Sequence, residues 1–559
     1  VSMVSAQSVQ TVIIPRPMEA TAVKGSYTVT AKTVVAATDA ELVRPAELFV
    51  EYVAKDLGAT LKVEQKEKGG IVLSLDNSLA KEEYTLKISS KGIAIVGGTP
   101  QAVFYGLQSL RQLISAGEQT KKGIKLEGVA IKDKPLLGHR GAMLDVCRYF
   151  FTVAEVKRFI DIMAIHKLNR FHWHLTEDQG WRIEIKKYPN LVKIGSWRKQ
   201  TILGHRRYSK VFDGTPHGGY YTQEEIKDIV KYAAERFVTV IPEIDMPGHM
   251  VAALTSYPHL GCAGEGYKVR ELWGISEEVM CIGKESTFEF VEGVLAEVLD
   301  LFPSEYIHIG GDEASKSSWT ECEDCRRRMR EEGLESVDEL QSYMIHRIEE
   351  YLNARGRQII GWDEILEGGL APNATVMSWR GEEGGLAAAA AGHKVVMSPH
   401  GYCYIDAPQD APPTQPEAIG GYLPLRKVYS YDPAPATMTE SVSKYILGVQ
   451  GNLWAEFIPT DEHYEMMLWP RAIAIAEIGW SELKERDYEE FRERAVAIVE
   501  DMKQRGYAPF DLRNEIGERP ESLQPIGHKA LGKSVEYLYP SRYYGPQYAA
   551  AGDATLTDG

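Results

Sequence analysis

Val238-Thr239-Val240-Ile241-Pro242-Glu243-Ile244-Asp245-Met246-Pro247-Gly248-His249 is a short apolar run that ends in acidic side chains and a Pro-Gly turn. Just before it, Thr222 to Arg236 reads as an amphipathic helix. The same alternation recurs from Gly138 onward. Candidate strands are Gly141 to Val146, Arg170 to Leu175, Val238 to Asp245, Tyr306 to Gly310, Gln358 to Trp362, Thr375 to Trp379, Lys394 to Ser398 and Ile446 to Trp454. Between them fall helices such as Val153 to His166, Ser286 to Leu301 and Val337 to Asn353, and an alanine run Ala387 to Ala391 stopped by Gly392. Strand-then-helix units repeated in this way predict an α/β fold, a (β/α)8 TIM barrel, rather than a doubly wound sheet.

Outward from the barrel the texture changes at both ends. Residues 1–134 carry short β-branched runs (Ser26 to Val35, Gly70 to Leu75, Glu83 to Gly97) and a helix over Pro100 to Leu113, which predicts a small α+β domain. The barrel is expected over 135–484. Residues 485–559 are expected to begin with a charged helix, Glu485 to Arg505, and to continue as an irregular tail leading toward a further β-rich module.

Composition narrows the function. The chain has 559 residues, 44% hydrophobic and 25% charged, with a formal net charge of −16, which suits a soluble globular protein and disfavours nucleic acid or anionic membrane surfaces as partners. No apolar run is long enough to span a bilayer. The start, Val1-Ser2-Met3-Val4-Ser5-Ala6-Gln7, shows no export signal, which is expected to have been removed or to lie outside this sequence. Of six cysteines, Cys262 and Cys281 bracket one loop as a candidate pair. Cys322 and Cys325 form one CxxC with no second pair nearby in sequence, which reads as two surface thiols or a local disulfide. No metal and no cofactor are expected.

In a TIM barrel the site forms at the carboxyl ends of the strands. The polar residues collected there are Asp145, Arg148, His174, Glu177, Asp178, Glu243, Asp245, His249, His308, Asp312, Glu313, Trp362, Asp363, Trp379, Arg380, Tyr404, Asp406, Trp454 and Glu456. Aromatic rings with carboxylates in one bowl suit a sugar, stacking on its apolar face and bonding its hydroxyls. In His308-Ile309-Gly310-Gly311-Asp312-Glu313 two glycines let the chain turn sharply and present two consecutive carboxyls. Glycosidic cleavage needs a general acid and a stabiliser of positive charge, and repulsion plus burial is expected to raise one pKa of the pair, assigned to Glu313. Neighbours in sequence are ill placed to serve as acid and nucleophile on opposite sides of a bond, so the nucleophile is expected to come from elsewhere. His308, inside an apolar strand, reads as structural, as do Asp178, Glu364 and Arg380.

The His308–Glu313 segment resembles the active-site signature of family-20 glycoside hydrolases, the β-N-acetylhexosaminidases. Other stretches agree, in order: His139-Arg140-Gly141 through Asp145-Val146-Cys147-Arg148, His172 through Trp181, Ile241 through His249, Gly361-Trp362-Asp363-Glu364, Ser378-Trp379-Arg380-Gly381, Tyr404-Ile405-Asp406 and Leu453-Trp454-Ala455-Glu456. The resemblance runs from about Thr11 to about Leu483 and includes the family's N-terminal domain. It implies exo-acting, retaining removal of terminal β-linked N-acetylglucosamine or N-acetylgalactosamine, with the substrate's own acetamido oxygen as nucleophile and an oxazolinium intermediate. By the same resemblance Asp312 orients the acetamido group and Glu313 is acid and base. Tyr404 bonds the acetamido carbonyl, and Trp362, Trp379 and Trp454 wall the pocket. Arg148, Glu456 and Asp406 hold the nonreducing sugar, while Glu177, Asp245 and His249 support the acid. Where the family usually has Asp-Asp, this chain has Glu177-Asp178. The implied partners are glycans ending in N-acetylhexosamine, and the implied location is exported, periplasmic or cell-surface. The alternatives carried forward are a disaccharide-releasing relative and a glycan-binding barrel without catalysis.

Overall fold

The structure, a computed structural model, describes residues 12–411, 414–435 and 438–517. The expected β-rich continuation of the tail lies outside the described residues.

Eight parallel strands close into a barrel in which each pairs with its sequence neighbour and the last with the first. They are β1 (His139–Asp145), β2 (Arg170–His174), β3 (Thr239–Glu243), β4 (Tyr306–His308), β5 (Gln358–Trp362), β6 (Thr375–Ser378), β7 (Val395–Met397) and β8 (Ile446–Leu453). The expected (β/α)8 barrel is therefore present, its strands a little shorter than the apolar runs because the acidic ends turn out of the ladder. The helices between them begin where their caps dictate. Thr222 and Glu225 close a capping box on Gln223–Ala234, the Thr222 N–H donating to Glu225 Oε2 at 2.8 Å and the Glu225 N–H to Thr222 Oγ1 at 3.3 Å. The alanine helix spans Glu383–Ala390, and Gly392 takes the left-handed turn beyond it at φ +93°.

Ahead of the barrel lies an eight-stranded mixed sheet crossed by two helices, Val43–Leu57 and Pro100–Ser115. The second helix is buried nearly all round, because the sheet covers one side and the barrel the other. Its Tyr105 hydroxyl accepts from Arg140 on β1 at 2.9 Å, and Phe104 packs on Phe237 with ring centroids 5.3 Å apart. Asp133 ties the seam, accepting from Tyr84 (2.6 Å), Trp480 (2.8 Å) and Lys167 (3.3 Å). The helix Tyr488–Gln504 returns across both parts. Arg494 donates to Glu477 at 2.7 and 2.8 Å, and just beyond the helix Arg505 reaches Asp56 at 2.8 Å.

The cysteine expectation is corrected by the fold. Cys325 is buried, and the CxxC is not isolated, since Cys262 and Cys281 fold against it from more than forty residues away. Cys281 lies 3.6 Å from both Cys322 and Cys325, and all six cysteines are free thiols.

Candidate active site

Barrel register decides the floor. Asp145, His174, Glu243 and His308 are direct partners across β1, β2, β3 and β4, so four polar side chains stand at one level. Glu243 is the hub: Oε2 meets His172 at 2.9 Å and His174 at 2.5 Å, while Oε1 meets His308 at 3.0 Å and accepts from Trp362 Nε1 at 2.9 Å. Burial opposes its charge, but the imidazoles of His308, His174 and His172 hold the carboxyl well below its ordinary range. Strand-end position and the matching stretch Ile241 through His249 single out Glu243 in the sequence, but neither reveals this network. His172, Glu243 and His308 bring donor atoms close enough for a metal, but these donors bond to one another and to Trp362.

Above the floor, Glu177 spans two groups. Its Oε1 lies 2.8 Å from His249 Nδ1, and its Oε2 lies 3.0 Å from Arg148 Nη2. Arg148 also pairs with Asp145 at 3.0 Å, approaches Glu456 at 3.9 Å, donates from Nε to Gln179 Oε1 at 3.1 Å, and lies over the Trp454 ring at 5.1 Å. Burial disfavours charge on His249, yet Glu177 and Asp245 raise its pKa well above the ordinary value. Its Nε2 faces the carboxyl pair, 3.6 Å from Glu313 and 3.7 Å from Asp312, an ion-pair separation longer than a hydrogen bond.

The turn after β4 carries the pair. Gly310 and Gly311 take φ +70° and +98°, and a Cβ on Gly310 would sit 1.7 Å from Asp245 Oδ1, so glycine is required for space as well as conformation. Among the described residues four others that are not glycine have positive φ, and two of them are His249 and Glu313. Such backbone costs about 1–3 kcal/mol each and collects where a site over-determines it. The two carboxyls end at different depths. Asp312 is buried and Glu313 stands at the rim with 32% of its side chain exposed. Asp312 is pushed up to about 6 by burial. Asp245 is driven well above its usual value by burial and then by the Asp312 charge, and among the described residues neither of its oxygens has a hydrogen-bond partner.

The aromatic wall forms from β5, β6, β8 and the loop after β7. Trp379 and Tyr404 stack at 5.8 Å and 20°, and Tyr404 meets Trp454 at 6.4 Å. Tyr404 stays neutral through burial and the neighbouring Asp312 charge. Trp362 is fully buried among Ile241, Ile360, Met377 and Val396 and tilts against Trp454 at 5.7 Å. Asp406 and Glu456 are buried near Arg148, and Asp406 is raised to about 8 by burial and the Glu456 charge. Glu364, read as structural from sequence, accepts from Trp379 Nε1 at 2.8 Å and is raised to about 8 by burial and Asp312, which ties it to the site. Asp178 accepts from the Val251 N–H at 3.1 Å and pairs with Arg270 at 3.2 Å.

Residues 137–483 match the catalytic domain of glycosyl hydrolase family 20, and residues 10–134 match domain 2 of that family. The chain is 47% identical to the β-hexosaminidase of Porphyromonas gingivalis over 492 residues, 86% of this chain and 62% of the relative, so it spans less than two thirds of that protein. It is 36% identical to the β-hexosaminidase of Vibrio furnissii over 73% of this chain and 67% of that one. In structure it superposes on the exo-β-N-acetylglucosaminidase of Vibrio harveyi, solved with N-acetylglucosamine, at a TM-score of 0.81 with 31% identity, covering 92% of this chain and 80% of that one. The β-N-acetylhexosaminidase of Streptomyces coelicolor gives 0.79 with 28% identity, covering 92% and 100%. With both family domains matched in order and a barrel that carries the signature carboxyls at its strand ends, the chain belongs to glycosyl hydrolase family 20.

Proposed function

We propose that the chain is an exo-acting β-N-acetylhexosaminidase that releases terminal N-acetylglucosamine or N-acetylgalactosamine with retention, using the substrate's acetamido group as nucleophile. The observation that carries this is the unequal depth of the adjacent carboxyls. Asp312 sits inside beside Tyr404 with a buried oxygen, Oδ1, that has no hydrogen-bond partner among the described residues, while Glu313 stands at the rim. A buried carboxylate at the pocket base accepts the acetamido N–H, and Tyr404 donates to the acetamido carbonyl, whose oxygen attacks the anomeric carbon as the glycosidic bond breaks. Glu313 gives its proton to the departing oxygen and then takes one from the water that opens the oxazolinium ion. His249, charged and anchored by Glu177, faces both carboxyls and balances their charge in turn.

Arg148, Glu456 and Asp406 form a buried polar end that supports recognition of one terminal sugar over release of a disaccharide. Partners in this reading are glycans ending in N-acetylhexosamine, which lie largely outside cells, so the reading includes export. No helix among the described residues is long and apolar enough to cross a membrane. The test is a panel of 4-nitrophenyl glycosides with and without the 2-acetamido group. The expected outcome is turnover of the acetamido sugars alone, falling about 10²–10⁴-fold in Glu313→Gln. Equal cleavage of the plain glucoside would overturn the mechanism, and no turnover of any member would favour a glycan-binding barrel. Activity confined to the cytosol of the source cells would overturn export.

A further inference from the structure

Three separate pieces of chain, in the connections that follow β3 and β4, bring four thiols together. Cys262 follows the turn Pro258–Leu260, Cys281 precedes the helix Glu285–Leu301, and Cys322 and Cys325 stand at the start of the helix Glu323–Glu332. Their sulfurs all lie within 4.8 Å of one another, with separations of 3.6 Å for Cys281 to Cys322, 3.6 Å for Cys281 to Cys325 and 3.9 Å for Cys262 to Cys325. Those distances are far longer than the ~2.05 Å of a disulfide. Four thiolates around a zinc ion at ~2.3 Å define a tetrahedron whose edges are about 3.8 Å, and all three separations fall close to that length.

The backbone around the cluster is built for close approach. The Cys281 N–H donates to Leu260 O at 2.8 Å, and Gly261 bridges to Met280, which clamps the Cys262 and Cys281 arms side by side. Gly283 lies against the turn of the CxxC: a Cβ there would be 2.1 Å from the Asp324 carbonyl carbon and 2.3 Å from the Cys325 nitrogen. Two cations border the same backbone. Lys284 Nζ donates to Gly261 O at 2.8 Å and Arg327 to Gly283 O at 3.2 Å, positions that offset the two negative charges a zinc tetrathiolate carries. Soft thiolates in tetrahedral array select zinc over the hard cations, and four protein ligands leave no open position for catalysis.

We propose that Cys262, Cys281, Cys322 and Cys325 bind one zinc ion as a closed structural site. Each thiol gives its proton to solvent as its sulfur takes a coordination position, so zinc uptake releases protons. The site pins two segments that frame the reaction centre. One is the loop from Cys262 to Cys281, whose Arg270 pairs with Asp178 and whose Leu272 carbonyl accepts from Gln179. The other is the stretch that runs from Glu313 through Ser317–Glu321 to Cys322.

Elemental analysis of the full chain, purified without chelator, tests the assignment. The expected result is about one zinc per chain, replaceable by cobalt with the visible absorption of tetrahedral cobalt thiolate. Cys322→Ser and Cys262→Ser, the two less buried positions, are expected to lose the metal and to unfold at lower temperature. Should these variants not fold, stripping zinc from the wild-type chain with a thiol reagent and following metal release against thiols modified gives the same answer, with four thiols expected per zinc. Absence of zinc and cobalt uptake, a denatured chain in which these cysteines are joined in disulfides, or metal retained in both variants would each overturn the proposal.

Discussion

Asp312 and Glu313 share a peptide bond and little else. Because burial raises Asp312 to about 6, it is neutral below that pH and ionised above it, and the proposed hold on the acetamido N–H needs the ion. The kcat/KM for an N-acetylglucosaminide is therefore expected to fall as pH drops through about 6, and that limb is expected to vanish in Asp312→Asn along with most activity. A pH profile of both proteins checks it; an unchanged acid limb in the variant would refute the assignment. For stability the sign is reversed. A carboxyl whose folded pKa is raised contributes most below its unfolded value, about 4, and loses that contribution as pH rises through the folded value. For Asp406 that loss runs up to about 8, so Asp406→Asn is expected to raise Tm at pH 8 relative to wild type and to leave it little changed near pH 4, while weakening substrate binding. Glu177 makes a geometric case. Its carboxylate reaches His249 and Arg148 together, and Glu177→Asp, one methylene shorter, is expected to give up one of them, lowering kcat if His249 is released and raising KM if Arg148 is.

At the scale of elements, two glycines with nearly equal backbone angles separate conformation from space. Gly310 has φ +70° with Asp245 Oδ1 1.7 Å from a notional Cβ, and Gly333, the C-cap of Glu323–Glu332, has φ +68° with nothing within 4 Å. Gly333→Ala is expected to cost about 1 kcal/mol and leave turnover intact. Gly310→Ala is expected to displace Asp245 and the carboxyl turn and to lower kcat by more than about tenfold, a loss of 1.4 kcal/mol or more. Paired thermal melts and kinetics distinguish them. The helix starts obey simpler rules: Thr222→Ala removes one half of a capping box and is expected to cost about 1 kcal/mol by denaturant unfolding without affecting activity.

At the scale of the whole molecule, one buried pair, Arg494 with Glu477, holds the helix Tyr488–Gln504 to the barrel. Glu477 takes both arms of Arg494, the Tyr429 hydroxyl at 2.8 Å and the Arg16 N–H at 2.9 Å, and has no solvent to turn to. Arg494→Met leaves that carboxylate uncompensated and is expected to cost about 3–5 kcal/mol, with Arg494→Met/Glu477→Gln recovering part of it. A double-mutant cycle in urea measures the coupling.

What sequence determined here is what short-range chemistry encodes. Strand and helix alternate in the apolar pattern of residues 138–480, the caps are spelled by Thr222 and Glu225, and the carboxyl turn is announced by Gly310-Gly311. These are local, so the barrel, its strand ends and the bowl of polar residues were legible before any coordinates. What only tertiary structure decided depends on parallel register and on burial. Register set Asp145, His174, Glu243 and His308 at one level and made Glu243 the hub. Burial raised the Asp312 carboxyl to about 6 and enclosed Trp362 completely. Closing the barrel carried Cys262 and Cys281 across 41 to 63 residues of chain onto Cys322 and Cys325, a meeting that no sequence spacing announces because the distance is set by packing.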